Sequence, residues 1–249
     1  MNTTEYESAI AACQRAIAID MHHVDAYDSL GWLYISKLVD FDRAIQTYEL
    51  GLVANPADPF LTACLGSTYA RMGQIEKALA TLEQSAKDHP DQIFAPSWLS
   101  YLYFRLKRLD EAAVCCRREI ELKDAHSPHR VLGFIYLLQE RIGEAIAELE
   151  RAIELEPHDY EARAALAKLY RESGNLPAAE YQYDTGREMS MADNEGGLAC
   201  FHAVYGEVEQ ALDLLETACE KGQISPGWLR IDPEFVFIQD EPRFQALVF

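Results

Sequence analysis

Ten aromatic and basic side chains, Trp32, Phe60, Arg71, Tyr101, Phe104, Arg105, Arg130, Phe134, Lys168 and Arg171, recur along this chain in a regular phase. Their chemistry is that of recognition. Rings supply apolar anchors for a bound segment, and guanidinium or ammonium groups pair with its carboxylates. The cations stand out because the chain is acidic, with 22 Lys and Arg against 41 Asp and Glu and a formal net charge of −19. That balance argues against nucleic acid and anionic membranes as partners, since neutralising phosphate needs basic patches.

Other reactive types point to no second chemistry. The six cysteines, Cys13, Cys64, Cys115, Cys116, Cys200 and Cys219, show no Cys-x-x-Cys spacing and sit in apolar helical stretches. They read as small buried hydrophobes, in a chain too long to need disulfide staples. The alternative is a redox or metal contact at vicinal Cys115-Cys116. His22-His23 and the pair His126 and His129 lack a Cys or carboxylate at ligand spacing, so neither a metal site nor a cofactor is expected. No phosphate-binding glycine loop, nucleophile elbow or His-Glu-x-x-His motif occurs. Carboxylates such as Glu148, Glu150, Glu154 and Glu156 read as a solvated helix face. The expectation is a protein that is not an enzyme.

A fixed period positions the ten side chains. Ala44, Ala78, Ala112, Ala145, Ala179 and Ala211 are separated by 34, 34, 33, 34 and 32 residues. Each follows, by 13 or 14 residues, a leucine, a small residue and an aromatic: Leu30-Gly31-Tyr34, Leu65-Gly66-Tyr69, Leu99-Ser100-Tyr103, Leu132-Gly133-Tyr136, Leu166-Ala167-Tyr170 and, with His in place of Tyr, Leu198-Ala199-His202. Each cycle holds two amphipathic segments too long for strands, joined by short polar turns such as Met72-Gly73-Gln74. Asp58-Pro59 and Ser127-Pro128 are cap-then-proline starts. A helix pair cannot bury its apolar face alone, so neighbours must stack. Gly31, Gly66 and Gly133 then mark places where two helix backbones cross closely.

This pattern, closed by Pro56, Pro90 and Pro157, resembles the tetratricopeptide repeat. The resemblance implies an all-α, right-handed solenoid of antiparallel helix pairs. It covers six repeats over 24–225: 24–58, 59–92, 93–125, 126–159, 160–191 and 192–225. Residues 1–23 form a half repeat whose second helix alone is present. The tail, 226–249, resembles the closing segment that follows many bacterial arrays. Asp232-Pro233 and Asp240 to Pro242 read there as helix starts, and Trp228, Phe235, Phe237, Phe244 and Leu247 as a cap on the last pair. The expected architecture is one continuous solenoid.

By the same resemblance, the first-helix face opposite the packed one lines an inner groove where peptides bind. At about 100° per residue, the ten side chains named at the outset fall on that face. Two readings stay open for the aromatics: contact with a ligand, or packing between neighbouring first helices. Phe94 also falls on the face, but Pro96 suggests a helix that starts after it. The expected partner is a protein or peptide with apolar anchors and acidic residues. A clamp for terminal carboxylates is not evident, because Asp28 and Trp32 stand where Lys and Asn belong.

The alternative function is a structural subunit that self-associates through residues 6–19, whose Ala9, Ile10, Cys13, Ala16 and Ile17 lie at helical spacing with no first helix to meet one flank. The opening MNTTEYESAI has neither a basic start nor an apolar core, and the longest apolar run, Val131 to Leu138, is far short of a membrane span. A cytoplasmic location is expected, with the reservation that a chain opening in mid-repeat leaves an upstream segment conceivable.

Overall fold

The computed structural model describes residues 3–248, with side chains from Tyr6. Met1, Asn2 and Phe249 lie outside the described residues. Among those described, every regular element is a helix. The chain divides into two compact units, Met1–Leu99 and Ser100–Phe249.

The first unit holds α1 (Thr3–Ile19), α2 (Val24–Leu33), α3 (Phe41–Ala54), α4 (Pro59–Arg71), α5 (Ile75–Asp88) and the start of α6 (Phe94–Arg105). The second holds the rest of α6, then α7 (Leu109–Leu122), α8 (His126–Leu138), α9 (Ile142–Leu155), α10 (Tyr160–Glu172), α11 (Leu176–Asp193), α12 (Glu195–Tyr205) and α13 (Val208–Glu220). The tail adds α14 (Pro226–Ile231), a 3-10 turn (Pro233–Phe237) and α15 (Pro242–Val248). Six helix pairs, α2–α3 through α12–α13, thus fall on the six sequence periods. Helix α6 begins at Phe94, with Pro96 inside its first turn, where a missing N–H costs nothing.

The local rules are visible at both helix ends. Asp40, Asp58, Asp159 and Asn194 cap their helices by accepting from the backbone N–H three residues on. First helices close in a Schellman turn: Gly73 N–H donates to Ala70 O and Gln74 N–H to Tyr69 O. The same pair of bonds ends α6 on Phe104 and Tyr103, α8 on Leu137 and Tyr136, and α10 on Arg171 and Tyr170. The framework aromatic therefore supplies the carbonyl that stops each of these helices. The first repeat differs. Its leucine-to-alanine interval, Leu30 to Ala44, is one residue longer than the 13 of the others. The extra residue is absorbed as a π-helical stretch, Tyr34–Leu38, and Asp40 N–H reaches back to Tyr34 O.

The ladder alanines are buried, at 0 % exposure except Ala179 at 6 %. The glycines beside the framework leucines sit where the paired helices approach closely. A Cβ on Gly66 would lie 2.6 Å from Leu82 Cγ, and one on Gly31 2.3 Å from the Tyr48 ring. These glycines make room for a side chain four residues past the ladder alanine, and at Gly133 the backbone oxygen of Ala145 also lies 3.5 Å from the Cβ position.

The tail also does more than expected. Leu229, Phe235, Ile238, Phe244 and Val248 join Ala199, Ala211, Leu212 and Leu215 in one cluster, which caps α12 and α13. Arg243 fastens α15 to α13 through Glu209, Asp213 and Glu216. The polypeptide between these anchors crosses the first helices of its own unit.

Candidate functional site

In the first unit, three successive first helices contribute to one stack. The Arg71 guanidinium of α4 lies over the Trp32 ring of α2 at 5.8 Å and over the Trp98 ring of α6 at 5.3 Å. Arg71 is 2 % exposed, whereas Trp32 keeps 43 % of its surface. Cation–π contact holds the guanidinium between two indoles. Phe60 meets Phe94 edge to face at 5.1 Å. On the same helix as Trp32, Asp28 accepts from the Cys64 thiol at 3.6 Å, and burial pushes both groups' pKa values up. Trp98 was missed in the sequence because it sits one residue before its framework leucine, at the margin of the groove face. A face drawn one position wider finds it.

In the second unit, the same face is covered. Phe104 and Phe134 stack at 6.2 Å and have no exposed surface. The tail's Phe237 stands edge-on against Phe134 at 5.4 Å, and Lys168 Nζ lies 5.7 Å from the centre of the Phe237 ring. Arg105 donates from Nη2 to Leu229 O at 3.1 Å and from Nε to Arg230 O at 3.3 Å. Burial lowers its pKa to about 10. These are contacts with the chain's own tail, so the expectation that Phe104, Arg105, Arg130, Phe134 and Lys168 offer themselves to a partner is corrected. The physical reason is the tail, through Phe237, which the sequence reading placed in a terminal cap, and through Glu234, to which it gave no role. Arg171 donates to Tyr205 Oη at 2.8 Å and lies over that ring. Tyr101 bonds Ser127 through its hydroxyl, and burial raises its pKa to about 12.

Arg130 is the centre of this unit's electrostatics. Its Nη1 meets Asp159 Oδ2 at 3.1 Å and Glu161 Oε2 at 3.3 Å, and its Nη2 meets Glu234 Oε1 of the tail at 3.2 Å. Asp159 is held there because its other oxygen caps α10 at Ala162 N–H. Burial opposes the charge on Arg130, but the three carboxylates outweigh it and keep the guanidinium ionised. The carboxylates are in excess, and burial pushes Glu161 up to about 8, with Glu234 and Asp159 adding to the effect and Arg130 opposing it. Glu234 is likewise raised by burial.

On the N-terminal helix, Ile10, Cys13 and Ile17 are partly buried and pack against the first unit's core. Exposed apolar residues of this unit include Ile19 at 87 % and, on α3, Val53 at 75 %. All six cysteines are free thiols. Among the described residues no cluster of His, Cys, Asp and Glu stands at metal-binding geometry, and no helix is long and apolar enough to cross a membrane.

Repeated antiparallel helix pairs define an all-helical repeat protein. The tetratricopeptide repeat family matches residues 65–125 and 136–195, and the chain carries tetratricopeptide repeats there. It is 25 % identical over 189 residues to human RNA polymerase II-associated protein 3, covering 70 % of this chain and 28 % of that protein. It is 27 % identical over 137 residues to anaphase-promoting complex subunit 3 of Schizosaccharomyces pombe, covering 53 % and 20 %. The chain thus spans about a quarter of the length of these curated relatives. Among solved structures, BtubC (BKLC) from P. vanneervenii superposes with a TM-score of 0.64 at 18 % identity, covering 76 % of this chain and 89 % of that one. A MamA structure gives 0.54 at 23 % identity, covering 66 % and 90 %. These likenesses show the fold. Tetratricopeptide repeats build protein-interaction scaffolds, and this chain has that architecture.

Proposed function

We propose that the chain is a non-catalytic scaffold that takes a peptide or helix with apolar anchors on the first-helix face of its first unit. The observation carrying this reading is Trp32, a large ring left 43 % exposed while its neighbour Arg71 is buried against it. Exposed aromatics braced from behind are typical anchors of interfaces. The acidic character first expected of the partner loses its basis, because Arg71 is enclosed and Arg105 and Arg130 are bound to the tail. Both curated relatives are named for assemblies they join, which supports a role within a larger complex.

The test is a comparison of the proteins retained by the chain and by its Trp32→Ala variant, with melting curves for both. Loss of specific captured proteins at an unchanged melt supports the reading. An identical captured set overturns it. A second reading, self-association at the N-terminal end, is favoured by exposed Ile19 and Val53. A monomeric mass by light scattering at high concentration removes it.

A further inference from the structure

The tail that covers the basic face leaves a cleft beside it, of about 470 Å3. One wall is tail: Trp228, Asp232, Pro233 and Glu234. The other comes from the starts of α10 and α12 and the end of α11, with Tyr160, Glu161 and Asp193. Among its lining residues one cation, Arg130, faces four carboxylates, Glu161, Asp193, Asp232 and Glu234. Arg130 is already shared among three carboxylates, with Asp159, Glu161 and Glu234 at 3.1 to 3.3 Å from its Nη atoms, while its Nε makes no hydrogen bond.

A second observation points to a missing donor. Glu234 is 4 % exposed, yet its Oε1 accepts no hydrogen bond. The approach of Arg130 at 3.2 Å is an ion contact outside hydrogen-bonding geometry. A buried carboxylate oxygen without a donor is costly unless something supplies one. The cleft therefore asks for positive charge and N–H groups, bounded by rings.

We propose that this cleft receives the arginine side chain of a partner protein segment, which pairs with Glu161, Asp193 and Glu234 beside Tyr160 and Trp228. A guanidinium suits the place better than an ammonium. It is planar, offers five donors in a fixed fork, and stacks on aromatic faces. The tail thereby reverses the sign of recognition. The bare first-helix face of this unit is basic and would select acidic segments. The same face with its tail seated presents carboxylates and selects basic ones.

The protonation of the cleft agrees with this. Glu161, raised to about 8 mainly by burial, holds a proton at neutral pH in place of a cation. The charged and titratable groups facing it are Arg130 on α8, Asp159 and Tyr160 on α10, Asp193 on α11, Cys200 on α12, Asp232 and Glu234 in the tail, and Tyr101 on α6. Binding of a guanidinium displaces that proton. The inference is independent of the Trp32 reading, because the two sites lie in different units.

The experiment uses the full chain and two end-blocked, fluorescein-labelled pentapeptides, Gly-Arg-Gly-Arg-Gly and Gly-Glu-Gly-Glu-Gly, read by anisotropy at about 0.15 M salt, where long-range attraction to the acidic surface is screened. The cleft variant is Glu161→Gln with Asp193→Asn. The charge-matched control is Glu76→Gln with Asp88→Asn, two exposed residues of α5. The expected result is binding of the arginine peptide, unchanged in the control and in Trp32→Ala, and weakened about ten-fold or more in the cleft variant. Equal loss in both double variants, no loss in either, or preference for the glutamate peptide overturns the proposal. If the cleft variant fails to fold, Asp193→Asn alone, at an exposed position, is read in the same way. Weakened binding of the arginine peptide supports the inference, and unchanged binding overturns it.

Discussion

The two units carry the same helix pair and the same kind of residues on their first helices, yet one keeps a large ring, Trp32, at the surface and the other encloses Phe104 and Phe134. Trp32 over Arg71 in the first unit and Phe134 beside Arg130 in the second come from equivalent faces. Only the second has a tail within its own unit to lie on it. The difference teaches that a repeat's framework decides where the side chains of this face stand, while the segments outside the repeat decide whether they are exposed. It also shows that a pairing cation can be consumed internally, so that its presence in the sequence no longer states the partner's charge.

The sharpest way to break this comparison is to truncate one ring in each unit. Phe134→Ala removes a fully buried ring that touches Phe104 and Phe237, and should cost about 3–5 kcal/mol. Trp32→Ala removes a ring that is nearly half exposed and should cost about 1 kcal/mol or less. Thermal or denaturant unfolding measures both. Similar losses would mean that the two faces are equally structural, and the contrast would fail.

A second test asks whether the frame itself is equivalent. Ala78 and Ala145 are both fully buried ladder residues, each one helical turn before the leucine that fills a glycine notch, Leu82 at Gly66 and Leu149 at Gly133. Replacing either with Leu overpacks a closed site and should destabilise by about 1–3 kcal/mol, by similar amounts in the two units. An unchanged melt at either position would refute the repeat phase there.

This frame was legible in the sequence because period and packing are the same information. An alanine every 34 residues or so is a buried contact repeated by stacking, and all six ladder positions are buried. Even the one-residue excess before Ala44 was present as an interval, although only the backbone reveals it as a π-helical stretch. The candidate site was legible as positions but not as accessibility. Helical phase places Phe104, Arg105, Arg130 and Phe134 on one face, as found. It carries no information about a segment more than 90 residues later that lies across them, because that contact depends on the tail's path after Ser225 and not on any period. Phe237 is read from the sequence as part of a terminal cap, since apolar residues near a chain end look alike whether they close an end or fill a groove.

The third prediction separates the units by pH. The Glu161 carboxyl, held up to about 8 by burial, keeps a proton in the folded state that the unfolded chain gives up near the ordinary glutamate value of about 4.3. Between those values the folded state binds more protons than the unfolded one, so stability falls as pH rises from about 4.3 to about 8 and is level beyond. The loss should be on the order of 1 kcal/mol or more, the worth of a one-unit shift. Glu161→Gln keeps the neutral form and should flatten the profile. Asp28 in the first unit, also raised by burial, should leave a residual slope of the same sign. A profile that rises over this range, or one that Glu161→Gln leaves unchanged, would show that the cluster around Arg130 does not hold the proton.

The smallest effect concerns the turns that end first helices. Gly73 in the first unit and Glu140 in the second occupy the same slot of the Schellman turn, with φ of 82° and 59°. A left-handed backbone costs a residue with a Cβ roughly 1 kcal/mol, and glycine nothing. Glycine in turn loses more entropy on folding, which offsets part of that advantage. Gly73→Ala should therefore destabilise by about 1 kcal/mol, and Glu140→Gly should stabilise by a few tenths of a kcal/mol up to about 1. Glu140 is exposed and bonds through its backbone N–H to Leu137 O, a bond that glycine keeps. The substitution thus changes conformation cost alone, and denaturant midpoints at constant slope read it. If Glu140→Gly destabilises as a glycine in a helix interior does, the left-handed turn carries no strain. The two units would then differ in their turns as well as in their coverage.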